Sequence, residues 1–266
     1  MKPNHISRER IITTLVTSLQ PLSYIYALWE AGAASFNRRD QWSDIDLYLV
    51  VEDETIAETF KSMKEAFSHL SGLDLEFRLP EPTWHGHSQA FYRLKNASPF
   101  LFLDIVVMKE SSKDKFLQFQ IHGEPIVYFD KKALVKNYPI QPKTFLDKLE
   151  ARLQMLRVTF DLFQALILKE LNRGNDIEAL SYYLTYTYKP LVEVLRIKYS
   201  PYHYNFHNSY IYYDLPDQIV KRLHKLNFIP DSEALSSCRN EAEAWFWEVI
   251  DSVKREYIES ILHPDS

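Results

Sequence analysis

Up to about residue 130 the apolar residues switch between two rhythms, and beyond residue 140 they keep only one. Residues 6–19 place Ile11, Leu15 and Leu19 on one helical face, with Ser7 positioned as a cap and Pro21 as a stop. Residues 24–29 (Tyr-Ile-Tyr-Ala-Leu-Trp) and 47–51 (Leu-Tyr-Leu-Val-Val) read as strands. Helical spacing returns over 54–70 through Ile56, Phe60, Met63 and Phe67, and Gly72 ends it. Residues 73–79 alternate as a strand with one polar face, and 80–88 form a loop. Residues 89–94 and 100–108 predict a hairpin. Its second arm is almost wholly apolar, as in a central strand buried on both faces. Asp104 interrupts that arm, and a buried carboxylate needs a partner. A turn and a short strand over 121–130 follow.

At Tyr138-Pro139-Ile140-Gln141-Pro142 the character changes, and the prolines predict a boundary between domains at 1–138 and 139–266. Phe145, Leu149, Leu153, Leu156, Phe160, Phe163 and Ile167 then follow a long helical period. Residues 172–175 stop that helix and Asp176 caps the next, which runs through Leu180, Leu184, Leu191 and Leu195. Pro190 lies inside it and predicts a kink or break. Residues 216–226 and 232–262 predict two further helices. The fold class expected is α+β: a mixed β-sheet flanked by helices, followed by an all-α helical bundle.

Composition narrows the partners more than the fold. The 266 residues suffice for two domains with a sizeable core. A net charge of −5 provides no overall field to attract nucleic acid, so a polymerase acting on a long template is disfavoured. The lone cysteine, Cys238, allows no internal disulfide, and no stretch has the 18 or so uninterrupted apolar residues of a membrane span. The first residues lack an apolar signal core, so a cytoplasmic location is the expectation. With 5 glycines in all, Gly32 and Gly123 stand out as positional.

The candidate chemistry lies between the first two strands. Gly32-Ala33-Ala34-Ser35 opens a polar loop that ends in Ser43-Asp44-Ile45-Asp46-Leu47. Carboxylates at i and i+2 of a strand share a face, with Cα atoms about 7 Å apart. At about 4 Å between oxygens and an effective dielectric near 20, their repulsion is about 4 kcal/mol. The pair therefore needs water, a basic partner or a divalent cation. Apolar flanks and hard oxygen donors point to Mg²⁺.

A glycine past one strand, a polar connection and Ser-Asp-hydrophobic-Asp on the next together resemble the nucleotidyltransferase superfamily typified by DNA polymerase β. The layout is similar to the antibiotic-modifying members of aminoglycoside and lincosamide type. Arg196-Ile197-Lys198-Tyr199-Ser200-Pro201 and the later Asp214-Leu215-Pro216 resemble their helical domain. The resemblance implies an N-terminal catalytic domain and a helical acceptor-binding domain. It implies Mg²⁺ held by Asp44, Asp46 and a third carboxylate, for which Asp104 is the match and Glu76 the competitor. It implies ATP or another NTP as co-substrate, with Gly32 and the amides of Ala33 to Ser35 around the β,γ-phosphates and Ser43 and Arg38 nearby. The activity implied is transfer of an NMP, AMP from ATP, to a hydroxyl of a small molecule, with an antibiotic as one class of acceptor. Monomer and homodimer are both open.

The chain departs from the family at Ala33, where a serine hydroxyl usually contacts phosphate. That departure motivates an alternative, a non-catalytic nucleotide-binding or regulatory protein on the same fold. A protein-AMPylating transferase is a further alternative, against which the long helical part counts. Asp104 could serve as general base, as could Glu150, Asp161, Glu170 or Glu178. His122 reads as a turn residue, most of the many tyrosines between 182 and 213 as filler, and Trp245-Phe246-Trp247 as core or dimer surface.

Overall fold

The structure is a computed structural model that describes residues 5–262. The chain divides into two compact units, Met1–Pro139 and Ile140–Ser266. The fold class is α+β. Among the described residues no helix is long and apolar enough to cross a membrane.

The first unit runs α1 (Arg8–Leu19), β1 (Ile25–Glu30), α2 (Gly32–Ser35), β2 (Ile45–Val51), α3 (Ile56–Leu70), β3 (Leu73–Arg78), β4 (Ser88–Leu94), β5 (Leu103–Lys109), α4 (Phe119–His122) and β6 (Ile126–Asp130). Ser7 caps α1, its side chain accepting from the Arg10 amide. The six strands form one sheet in the order β3-β4-β5-β2-β1-β6. Only β2 and β5 pair in parallel among the described strands. One face packs against α1 and α3 through residues such as Ile11, Leu15, Met63 and Phe67. The other carries a smaller core of Ala27, Trp29, Val50, Val106, Met108 and Leu117. Strand alternation assigns Asp46 and Asp104 to this second face, in line with Tyr48 and Val50 on β2 and with Val106 and Met108 on β5.

Two local differences from the sequence reading bear on the site. Gly32–Ser35, read as the start of a loop, forms a single helical turn. β2 starts at Ile45, so Asp44 sits at the mouth of the strand rather than inside it.

The second unit comprises α5 (Pro142–Arg173), α6 (Asp176–Tyr183), α7 (Lys189–Tyr199), α8 (Ile211–Asp214), α9 (Asp217–Asn227), α10 (Ser232–Ser252) and α11 (Arg255–Leu262). Pro190 does break the predicted helix, through a π-helical turn at Leu184–Tyr188. Proline has no N–H to offer the Tyr186 carbonyl. Gln164 on α5 replaces it: its Nε2 donates to Tyr186 O at 3.2 Å, and its Oε1 accepts from Thr187 Oγ1 at 3.0 Å. The helix expected over 232–262 is two helices, parted at Val253 and Lys254. The Phe246 ring stacks on Phe160 at 3.6 Å between centroids, Trp245 is buried with it, and Trp247 packs edge-on against Phe160. Trp245 and Phe246 are core, and Trp247, half-buried, packs against it.

The Arg196 to Asp214 segment has a physical explanation. Arg196 is fully buried on α7. It donates to Asp214 Oδ2 (2.8 Å) and to the carbonyls of His203, His207 and Ser209. One guanidinium thereby gathers the irregular chain between α7 and α8.

Candidate functional site

Asp46 and Asp104 stand directly beside each other in the parallel β2–β5 ladder. Both are half-buried, and Asp44 lies two residues before Asp46. Burial is the main force pushing the Asp46 carboxyl up to about 7, and the charges of Asp44, Asp104 and Glu30 add to it. Burial likewise raises Asp104. The Gln89 amide, which donates to its Oδ1 at 2.6 Å, opposes that rise. The strands thus gather negative charge that protein cations only partly offset.

Gly32 sets the wall of the site. Its φ of +57° suits glycine, and a Cβ built there would overlap Asp46 Oδ2 and lie 2.5 Å from Asp46 Cγ. Ala31 N–H donates to Asp46 O, locking the turn to the strand at 2.9 Å. Gly32→Ala is therefore expected to displace the Asp46 carboxylate and strain the backbone, costing about 1–3 kcal/mol of stability. Thermal denaturation checks the stability, and loss of divalent-cation binding checks the displaced carboxylate.

Arg8 supports the carboxylates from behind. It donates to Glu30 Oε1 at 2.6 Å, to Ser43 O at 2.7 Å and to Asp44 O. Glu30, 1% exposed, also accepts from the Tyr128 hydroxyl. The sequence reading missed Arg8, Glu30 and Gln89. Glu30 did carry a signal, an acid closing an apolar strand two residues before Gly32. Arg8 and Gln89 carried none, since their roles depend on which elements become neighbours.

The remaining expected contacts are placed differently. Ser35 Oγ is buried in hydrogen bonds to the carbonyls of Gly32 (2.8 Å) and His122 (2.6 Å). Gly123, next to His122, approaches the Ser35 backbone so closely that a Cβ would lie 2.6 Å from Ser35 O. Ser43 Oγ closes a local turn on Asp40 at 2.9 Å. The Arg38 guanidinium lies over the Phe36 ring at 5.1 Å. Ala33 presents no hydroxyl. Glu76 is exposed on β3 and pairs with Lys64 at 2.7 Å. The structure therefore brings together Gly32, Asp44, Asp46 and Asp104, and leaves Glu76 elsewhere.

In the helical unit, Glu150 pairs with Arg255 at 2.5 Å, Glu170 with Arg173 at 2.6 Å, and Glu178 accepts from Tyr182 at 2.8 Å, while Asp161 is exposed. A groove of about 270 Å³ lies beside the π turn, lined by Phe163, Tyr186, Lys189 and the Arg152–Glu193 ion pair.

Among the described residues no set of three or more His, Cys, Asp or Glu side chains stands close enough to hold a metal ion as placed. The chemistry of the donor set nevertheless fits a hard divalent cation. It is all carboxylate oxygen, burial and acidic neighbours push Asp46 up to about 7 in the absence of a cation, and Gly32 leaves the Asp46 carboxylate the room a Cβ would fill.

No protein-family model matches the chain, and no curated protein matches it. Among solved structures the chain is similar to an aminoglycoside 6-adenyltransferase from Bacillus subtilis, with 12% identity over 97% of this chain and 96% of that one and a TM-score of 0.35. It is also similar to a nucleotidyltransferase-like protein from Exiguobacterium sibiricum, with 13% identity, 92% and 75% coverage and a TM-score of 0.38. A third likeness is to the STING-associated CdnE c-di-GMP synthase from Capnocytophaga granulosa, with 15% identity, 92% and 80% coverage and a TM-score of 0.29. Nucleotide-transferring proteins are thus what the chain is similar to. What it does rests on its own residues.

Proposed function

We propose that this chain is a divalent-cation-dependent nucleotidyltransferase that moves an NMP, AMP from ATP, onto a hydroxyl of a small molecule. One observation carries the reading: Asp46 and Asp104 lie side by side on adjacent parallel strands, with Asp44 at the strand mouth and Gly32 closed against Asp46. Asp44, Asp46 and Asp104 would hold Mg²⁺, which supplies charge neutralisation and phosphate orientation. In the transfer, the acceptor oxygen bonds to the α-phosphorus and the bond to the β-phosphate bridging oxygen breaks. Pyrophosphate leaves, and the hydroxyl proton passes to the carboxylate set. Gly32 and the backbone of the following turn bound the phosphates on one side. Asp46, already inclined to share a proton at neutral pH, gives up that proton when the site is charged.

The test is Mg²⁺-dependent pyrophosphate release, with the mass shift of a covalent NMP, against a panel of hydroxyl compounds that includes aminoglycosides. Asp44→Ala and Asp46→Ala are expected to lower transfer at least about a thousandfold, equivalent to roughly 4 kcal/mol. Unchanged turnover and unchanged Mg²⁺-dependent ATP binding in both variants overturns the reading. A specific observation favours a second reading, a nucleotide-binding protein without turnover: position 33 has no hydroxyl, and the Ser35 hydroxyl is committed to Gly32 and His122. ATP binding with no pyrophosphate release across the panel selects it.

A further inference from the structure

Residues 83–89 form a directed chain of hydrogen bonds that ends on Asp104. The backbone N–H of His87 donates to His85 Nδ1 at 3.1 Å, so that nitrogen carries no proton. The Thr83 hydroxyl spends its own proton on the His87 carbonyl at 2.5 Å and offers His85 Nδ1 none. The proton of the neutral imidazole is therefore on Nε2, which donates to Gln89 Oε1 at 2.9 Å. With its oxygen so used, Gln89 turns its amide nitrogen to Asp104 Oδ1 at 2.6 Å. Every link has one direction, set by a backbone amide that cannot reverse.

Ring contacts brace the chain. His85 meets Phe116 edge-on at 5.9 Å, and Phe116 meets His122 at 5.3 Å. The His122 carbonyl accepts from Ser35 in the Gly32 turn. The support of Asp104 on β5 and the glycine wall beside Asp46 on β2 are thus joined by one band of contacts.

We propose that Gln89, oriented by His85, is the positioning residue for Asp104: it caps Oδ1 and fixes the plane of the carboxyl, so that Oδ2 is presented to a cation shared with Asp46. This rests on the reading of Asp44, Asp46 and Asp104 as a divalent-cation site. A carboxyl turns easily about its terminal torsion, and a fixed donor on one oxygen removes that freedom. Deleting such an outer partner costs about 10–100-fold in metal affinity or activity.

The experiment titrates Mn²⁺ alone into the full chain, free of nucleotide, by calorimetry and by the electron paramagnetic resonance signal of free Mn²⁺. Gln89→Leu and His85→Phe are expected to weaken Mn²⁺ binding about tenfold or more. His85→Gln keeps an N–H near the ring Nε2 position and is expected to hold affinity within about threefold of the unaltered chain. Circular dichroism melts establish that each variant is folded, and the His85 pair carries the test if Gln89→Leu does not fold. Equal Mn²⁺ affinity in Gln89→Leu, or in His85→Phe, overturns the positioning role. A His85→Gln variant as weak as His85→Phe overturns the link through Nε2. Failure of the unaltered chain to bind Mn²⁺ overturns the cation site itself, and the positioning role with it. That outcome is distinct from the first two.

Discussion

Asp46→Asn is expected to stop nucleotide transfer and, at the same time, to stabilise the cation-free protein above neutral pH. The first effect follows from the proposed cation site, in which Asp46 is the central charged member, worth several kcal/mol and so a thousandfold or more. The second follows from the carboxyl of Asp46, ordinarily at 3.8 and pushed up to about 7 by burial and by its acidic neighbours. Between those values the folded chain holds a proton there that the unfolded chain has lost. The stability this gives is complete below about pH 4 and is lost as pH rises through about 7. Asparagine never ionises and escapes the loss. The span of the shift caps the gain at roughly 4 kcal/mol, and side-chain relaxation reduces it to about 2 kcal/mol. Melting curves in EDTA at pH 4, 6 and 8 check this: the two proteins coincide at pH 4, and the variant leads by several degrees at pH 8. Adding Mg²⁺ reverses the order, because only the unaltered chain gains from binding. Parallel curves across the whole range would show that neither burial nor the acidic neighbours raise the Asp46 carboxyl in the folded protein.

Arg196→Met is expected to be the most damaging single change in the helical unit. The guanidinium and Asp214 are 0% and 2% exposed. Removing the cation takes the guanidinium from a buried carboxylate that then keeps the His203 Nδ1 contact at 3.0 Å, and leaves three carbonyls short of that donor, a loss of about 3–5 kcal/mol. Replacing both partners removes the stranded charge, so Arg196→Met combined with Asp214→Leu is expected to recover a large part of the loss. Urea denaturation of the full chain measures both midpoints. A double variant no more stable than the single one would show that the ion pair itself, rather than the charge left behind, carries the stability.

The parts of this protein that could be read from its sequence are those where a residue contradicts its surroundings. Asp104 breaks an apolar strand and lies beside Asp46 in the β2–β5 ladder, and Pro190 interrupts a helical pattern and follows a π turn. Weighing Asp104 against Glu76 needed the strand order, which sets β5 beside β2 and puts β3, with Glu76 paired to Lys64, at the sheet edge. Gln89 was invisible for the same reason: a glutamine opening a strand is ordinary until the register sets β4 beside Asp104. The π turn needed Gln164 from a different helix to satisfy the Tyr186 carbonyl. The break at Val253 and Lys254 carries no proline or glycine to announce it.

The parallel pairing of β2 with β5 also sets when the site forms. Among the described residues the other strand pairs are antiparallel, and the β3–β4 pair closes over a short stretch of chain, whereas α3, β3 and β4 all lie between β2 and β5 in the sequence. Long-range pairing of this kind completes late in folding. The repulsion between Asp46 and Asp104 is therefore expected to enter only once this long-range pairing is made. It weighs on the native state while leaving the early barrier untouched, so relieving it is expected to slow unfolding and to change the folding rate little. The charge cluster of the proposed site is in this sense a kinetic load, carried only by the finished fold.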